Sequence, residues 1–535
     1  MPAVMSVNGS SSGGPGDIPA KLTAQVLVCS IIAAFGGLMF GYDIGISGGV
    51  TSMDEFLEEF FPHVYVKKHH AKEDNYCKFD DQYLQLFTSS LYLAAVVCSL
   101  FASKCCKRYG RKLTIQLASL FFLGGVILTA CAVNLAMLIF GRLFLGAGVG
   151  FGNQAVPLFI SEIAPARYRG GLNVCFQLLV TVGILCASIV NYFTATHPHG
   201  WRISLGGAAI PALFLAIGSL LIVETPTSLI ERGNPQQGLE TLQKIRGVQD
   251  VQKEYDEIVN ATEIAKQIKH PFKNLMKRSS RPQLVVSMVL QLFQQFTGIN
   301  VIMFYAPVLF QTMGFGSDAS LLSAVTTGCV NVLATLVAVF GVDKFGRRFL
   351  LIEASIQMLI AQSITGGILA AFLKSTNVLP KKYSYLVLFL ICFFVSGFAW
   401  SWGPLGWLIP SEIFPLETRT AGFFCAVSMN MIFTFIVAQA FLTTLCHMRA
   451  GIFFFFCGWI VIMGIFAYSF LPETKGVSID EMNDKLAVNT QKNTTKESLQ
   501  CCRRSLPLPL PLSKASIDVQ STADPSLSTG DPPYH

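Results

Sequence analysis

The chain has 535 residues, of which 52% are hydrophobic and 13% charged, with 43 phenylalanines and a net charge of +7. Soluble domains carry roughly 25% charged residues, so this composition excludes a soluble globular protein, and its apolar richness excludes a disordered one. The basic residues are not gathered on a soluble domain, so no nucleic-acid partner is expected; the expected surroundings are a lipid bilayer.

The first twenty residues are rich in Gly, Ser and Pro and lack the basic residues that begin a cleavable signal peptide. Apolar stretches of the roughly 20 residues needed to cross a bilayer then recur. They lie at about 22–48, 82–103, 113–133, 135–158, 171–193, 203–223, 283–310, 319–342, 349–373, 384–410, 420–445 and 450–471. The expected fold is an all-α membrane protein of twelve transmembrane helices. The organisation predicted is a tail (1–21), a six-helix half (22–223) with an outer loop at 49–81, a polar linker (224–282), a second six-helix half (283–471) and a second tail (472–535). The linker holds ten Lys/Arg and eight Asp/Glu, too polar to span, with helical segments such as Pro235 to Arg246.

Short loops set the orientation. Lys104, Lys107, Arg108, Arg111 and Lys112 follow span 2, Arg167 and Arg169 follow span 4, and Lys344, Arg347 and Arg348 follow span 8. Excess Lys and Arg marks the cytosolic side, which predicts that both termini and the linker are cytosolic. Cys77 and Cys446 then fall on the outer side. A disulfide is chemically permitted there and would tie the outer loop to the second half; two unrelated buried thiols is the alternative.

The halves repeat each other. Arg108-Tyr109-Gly110-Arg111-Lys112 after span 2 corresponds to Asp343-Lys344-Phe345-Gly346-Arg347-Arg348 after span 8, and Ser161-Glu162-Ile163 with Arg169 after span 4 to Ser411-Glu412-Ile413 with Arg419 after span 10. Parallel six-helix repeats are a transporter architecture with the substrate site between them near mid-membrane. These motifs, with Glu224-Thr-Pro-Thr-Ser at 224–228, Pro472-Glu-Thr-Lys-Gly at 472–476 and Phe40 to Val50, resemble the sugar porter family of the major facilitator superfamily. The similarity is greatest to the plant proton-coupled monosaccharide symporters. The resemblance implies the major facilitator fold, a monosaccharide substrate with the proton as co-substrate and no other cofactor, and the plasma membrane as location. A monomer is the expected working form. One departure stands out: the first-half loop lacks the acid that Asp343 supplies in the second, which predicts a lopsided ion-pair network.

Charges inside a bilayer cost at least about 2.5–3.5 kcal/mol each, so Asp43 in span 1 and Arg142 in span 4 call for an explanation. A static ion pair is one. The other is a proton site, since a carboxylate that alternates between Arg-paired and unpaired states binds and releases a proton. The family resemblance favours the second, because its proton-coupled members carry Asp where facilitative ones tend to carry Asn. Phe40 and Ile44 flank Asp43 and are expected to transmit substrate occupancy to it.

A sugar hydroxyl both donates and accepts, as do amides. Gln291, Gln294 and Gln295 share a helical face at i, i+3, i+4, and a break at Gly298 would bring Asn300 round to it. Gln177, Asn331 and Asn430 are further intramembrane amides. Interhelical glue is the bland reading; the resemblance places Gln177, Gln294, Gln295, Asn300, Asn331 and Asn430 in the sugar site. Trp407, after Gly403-Pro404-Leu405-Gly406, is either a sugar-stacking ring, as the resemblance implies, or an interface-belt residue.

Arg111, Glu162, Arg169, Arg347, Glu412 and Arg419 sit at cytosolic helix ends. The resemblance makes them a salt-bridged gate; a solvated basic rim is the alternative. Cys501-Cys502 before Arg503 is a weak acylation signal. No nucleotide loop, metal-ligand motif or enzyme constellation is found, and no metal is expected. The rival functions are a facilitative hexose uniporter and a non-transporting sugar sensor.

Overall fold

The computed structural model describes residues 22–70, 77–165, 168–267, 271–277, 280–312, 315–372, 379–471 and 473. Both tails with Cys501-Cys502, Arg167, and most of the 472–476 motif lie outside the described residues.

The described residues that fold regularly do so as helices. In chain order these are α1 (Ala24–Val50), α2 (Asp54–Phe60), α3 (Pro62–His70), α4 (Gln82–Tyr109), α5 (Arg111–Ala130), α6 (Leu135–Ile163) and α7 (Arg169–Thr194). There follow α8 (Gly200–Gly207), α9 (Ala209–Leu221), α10 (Pro226–Glu231), α11 (Pro235–Arg246), α12 (Gln252–Gln267) and α13 (Pro271–Leu275). The second half holds α14 (Arg281–Phe296), α15 (Ile299–Thr312), α16 (Ser317–Phe345), α17 (Arg347–Phe372), α18 (Lys381–Ala399), α19 (Trp402–Ile413), α20 (Leu416–Met448) and α21 (Gly451–Ser469). Twelve stretches are long and apolar enough to cross a membrane, three of them built from the pairs α8–α9, α14–α15 and α18–α19. Each agrees with the expected span to within a few residues.

Local sequence explains the starts and breaks. Thr23, Asp81 and Asn134 cap α1, α4 and α6, each side chain accepting a hydrogen bond from the backbone N–H three residues on. The α14–α15 break falls at Gly298, whose φ of +86° is left-handed backbone that glycine adopts without penalty. The same glycine lies against Phe456, whose ring a Cβ there would approach to 2.9 Å. In α15, Tyr305 has non-helical dihedrals two residues before Pro307, as expected from the steric demand of proline on the preceding turn.

Inside the first half, α1 packs against α7, and α6 against α4 and α5; the halves meet along α4–α20 and α7–α16. The α1–α7 approach is close because it is lined by glycine: a Cβ on Gly41 would lie 1.9 Å from the Val180 carbonyl oxygen. This fixes the depth and rotation of α1, the helix that carries Asp43.

The segment between α1 and α4, expected as the outer loop, holds two short helices, α2 and α3, that periodicity did not reveal. Phe56 of α2 is fully buried, its ring centroid 5.2 Å from that of Phe87. Cys77 and Cys446 are disulfide-bonded, with Cα atoms 4.7 Å apart, joining the loop to the end of α20. Beside them Thr443 donates to Asp80 at 2.6 Å and Ser89 to Gln439 at 2.5 Å, so the same ends of α4 and α20 are also tied by polar contacts. Cys131, expected inside span 3, instead follows the last residue of α5 as an exposed free thiol.

Candidate functional site

Asp43 and Arg142 meet in the bundle interior. Arg142 Nη1 donates to Asp43 Oδ1 at 2.5 Å, and the side chains are 0% and 2% exposed. The second guanidinium nitrogen donates to Ser47 Oγ at 2.9 Å, and Ser47 in turn donates to the Asp43 carbonyl at 3.0 Å. The guanidinium lies 4.0 Å from the centroid of the Phe87 ring. Ser47 and Phe87 were not singled out in the sequence. Ser47 stands one turn beyond Asp43 on α1, a weak signal; Phe87 carries none.

Phe40, one turn before Asp43, and Ile44, the residue after it, line the wall of a cavity of about 50 Å³ between the halves. From the first half the lining also includes Gln177, Val180 and Ile184 of α7. From the second come Gln294 and Gln295 of α14, Ile299, Asn300, Met303 and Phe304 of α15, Asn331 of α16, Phe398 of α18, Trp407 of α19, and Asn430 and Thr434 of α20. All seven amide and indole residues expected at the sugar site, together with Phe40 and Ile44, therefore share one cavity. Apart from Thr434, the added wall residues are apolar, and no polar signal marks them in the sequence. Thr434 lies one helical turn after Asn430.

The amides are held to one another. Asn430 Nδ2 donates to Gln291 Oε1 at 2.6 Å and to Gln294 Oε1 at 2.7 Å. Gln294 Nε2 donates to the carbonyls of Trp402 and Gly403, both at 3.0 Å, and Thr434 donates to Gln295 Oε1 at 2.9 Å. Asn300 donates to Gln295, across the break at Gly298. Gln291 does not line the cavity: it reaches past it to donate to the Gly406 carbonyl, anchoring the turn before Trp407. So one glutamine of the expected trio is interhelical glue and two face the cavity. Asn331 Oδ1 is buried and has no hydrogen-bond partner among the described residues. Trp407 is 4% exposed and packs edge-on against Phe176 at 5.9 Å, so its ring faces the bundle interior and not lipid.

The basic motifs build a second, buried set of ion pairs at the helix ends opposite the disulfide. Arg111 bonds Glu162 at 2.8 Å and Glu231 of α10 at 2.7 Å, with exposures of 1%, 0% and 18%. Arg347 bonds Glu412 and Asp343, each at 3.1 Å. These are not a solvated rim. Nor is the network lopsided as expected: Lys107 stands where the repeat would call for the counterpart of Asp343, and the linker supplies Glu231 instead. Among the described residues no ion pair within 4.0 Å is formed by Arg169 or Arg419. The acid that acts most strongly on each lies in the opposite half, Glu412 for Arg169 and Glu162 for Arg419. The halves are bridged here by Gly171 N–H to Asp343 at 3.0 Å and Asn173 to Ser411 at 2.8 Å.

Two further acids complete the repeat. Glu224 accepts from the backbone N–H of Arg111 and Lys112, and Glu473 from that of Arg347 and Arg348. Each carboxylate thus caps the helix that follows Gly110 or Gly346, where four N–H groups have no intrahelical partner.

Residues 29–486 match the family described as Sugar (and other) transporter. The chain belongs to that family. Among members of the sugar transporter family, it is 66% identical over 483 residues to Sugar transport protein 8 of Arabidopsis thaliana, covering 90% of this chain and 95% of the relative. It is 58% identical over 480 residues to Sugar transport protein MST4 of Oryza sativa subsp. japonica, covering 89% and 93%. In structure it is similar to the proton:xylose symporter XylE of E. coli bound to 6-bromo-6-deoxy-D-glucose, with a TM-score of 0.75 at 25% identity over 87% of this chain and 100% of XylE. The chain is a multi-pass membrane protein with the major facilitator fold.

Proposed function

We propose that the chain is a proton-coupled symporter that imports a monosaccharide, a hexose such as glucose, by alternating access. The observation that carries this reading is the buried Asp43–Arg142 pair one helical turn from an amide- and aromatic-lined cavity whose wall includes Phe40 and Ile44 of the same helix. The relatives' names, sugar transport proteins and a proton:xylose symporter, support the same substrate class and coupling.

The residues divide the work. Gln177, Gln294, Gln295, Asn300, Asn331 and Asn430 exchange amide–amide hydrogen bonds for bonds to sugar hydroxyls, and Trp407 packs against the ring's apolar face. Protonation of Asp43 frees Arg142 from its counter-charge, and Phe40 and Ile44 link that change to the sugar. Arg111–Glu162 and Arg347–Glu412 hold the cytosolic helix ends together until both ligands are bound. The linker and both termini face the cytosol by the distribution of Lys and Arg, the membrane is the plasma membrane, and a single chain suffices because both halves of the site come from it. One charge moved inward gains about 2.3 kcal/mol per 100 mV and one pH unit about 1.4 kcal/mol, enough to concentrate sugar by orders of magnitude.

The test is labelled-hexose uptake in transporter-deficient cells at external pH 5 and 7, with and without an uncoupler. Uptake that rises in acid, collapses with uncoupler and loses accumulation in Asp43→Asn supports the reading. Uptake indifferent to pH and uncoupler identifies a uniporter, and binding without flux a sensor.

A further inference from the structure

Arg142 is a fully buried cation, and the fate of its charge when Asp43 is neutral is a physical problem that Asp43 itself does not solve. An uncompensated charge in a low-dielectric interior is costly. Two neutral groups contact the guanidinium independently of the carboxylate. Ser47 Oγ accepts from Nη2 at 2.9 Å, its own proton committed to the Asp43 carbonyl, so a lone pair stays directed at the arginine in either protonation state. The Phe87 ring lies 4.0 Å from the guanidinium carbon, within the range at which a π-face attracts a cation. Both are buried, 2% and 0% exposed. Phe87 is backed by Phe56 of α2, the ring centroids 5.2 Å apart. Among the described residues the guanidinium Nε has no hydrogen-bond partner, which leaves these two as the neutral contacts holding the cation.

We infer that Ser47 and Phe87 are positioning residues of the proton site, which hold the Arg142 guanidinium while Asp43 is protonated and thereby set the external pH at which transport is half-maximal. The other titratable groups facing the pair are Tyr92 of α4 and, beyond it, Tyr305 of α15; neither is ionised in the working range of a transporter at neutral or acid pH. With the hydroxyl or the ring removed, Asp43 is left as the main source of negative potential at Arg142. Proton binding then competes with a stronger demand for the carboxylate, and more acid is needed.

This inference rests on the symport reading, and the experiment separates the two. Uptake by the full chain is measured from external pH 4.5 to 8 in wild type, Phe87→Leu, Ser47→Ala and Ser47→Thr, with membrane abundance and sugar KM at saturating acid determined for each. Phe87→Leu is expected to move the midpoint about one unit toward acid, Ser47→Ala about half as far, with KM at saturating acid within about twofold; Ser47→Thr, which keeps the hydroxyl, retains the wild-type midpoint. Unmoved midpoints with a lower maximal rate would reduce both residues to packing, and midpoints moved toward alkaline pH would mean that they clamp the pair shut; either result overturns the inference while a pH-dependent wild type leaves symport standing. A wild type indifferent to pH and uncoupler overturns both. Should Phe87→Leu fail to reach the membrane, the smaller Ser47→Ala decides alone.

Discussion

Arg111 donates to Glu162 at 2.8 Å with neither side chain more than 1% exposed. The pair sits where the first half meets the linker, and Arg419 of the second half is an electrostatic neighbour of the same carboxylate. Losing one partner of a buried pair costs about 3–5 kcal/mol, because the other is left as an uncompensated charge. Glu162→Gln is therefore expected to open the cytosolic end and cut uptake by about tenfold or more. With Asn173→Cys as a reporter in both backgrounds, the cysteine should react with a cytosolic thiol reagent far faster in the Glu162→Gln chain. Glu231→Gln should do less, since that partner is 18% exposed and part of its charge is already met by water.

Glu224 and Glu473 do the same job in the two halves although they belong to differently spelled motifs. Hydrogen bonds to a charged group contribute about 1.5–3 kcal/mol. Glu224→Ala and Glu473→Ala should therefore lower the unfolding temperature of the purified protein by similar amounts. An effect of one without the other would show that the repeat is not energetically symmetric at this point.

Much of this was legible in the chain. Twelve apolar runs gave twelve spans because hydrocarbon thickness dictates their length, and Asp43 and Arg142 stood out because charge is expensive there. Gly298 was readable as a break, and the break does carry Asn300 to Gln295. What was missed depends on meetings between distant segments. Glu231 reaches Arg111 across 120 positions, and Glu473 reaches Arg347 across 126. No local period announces such pairs. The trio Gln291, Gln294, Gln295 was read as one face, which is correct for the helix. Which of its members faces the cavity depends on where α19 lies, and no property of α14 encodes that.

Gln291 lies outside the cavity yet fixes two of its parts, Asn430 through Oε1 and the Gly406 carbonyl through Nε2. Gln291→Ala leaves the buried Gly406 carbonyl unsatisfied and removes one of the two hydrogen bonds that hold the Asn430 amide, a loss of about 1–3 kcal/mol. The expected result is a KM for hexose raised by about tenfold with an unchanged pH midpoint, because the proton pair is untouched. Thr434→Val, which removes one hydroxyl from the wall, should raise KM by only a few fold. Uptake kinetics at fixed external pH check both, and a shifted pH midpoint in Gln291→Ala would place the amide network in the coupling machinery instead.

The outer loop offers a pH prediction of a different kind. Asp54 receives Lys68 Nζ at 2.7 Å and His69 Nε2 at 3.1 Å, and Lys68 also donates to the Ser52 carbonyl at 3.0 Å. Burial pushes the Asp54 carboxyl up, but the hydrogen bonds and charges of Lys68 and His69 outweigh it and hold it below the ordinary value. A carboxylate depressed on folding contributes stability that is fully present above its unfolded pKa, about 3.9, and that is lost as pH falls through the lower folded value. The tie between α2 and α3 should thus be constant from pH 7 to pH 5 and fail only in stronger acid. Because the Asp54 side chain is 52% exposed, the pair is screened by solvent and should also loosen in concentrated salt. A spin label at Lys67→Cys reports the result directly. It should be immobile at pH 7 and at pH 5, become mobile below about pH 4, and be mobile throughout in an Asp54→Asn background; mobility gained between pH 7 and pH 5 would show that the Asp54 carboxylate does not hold the tie.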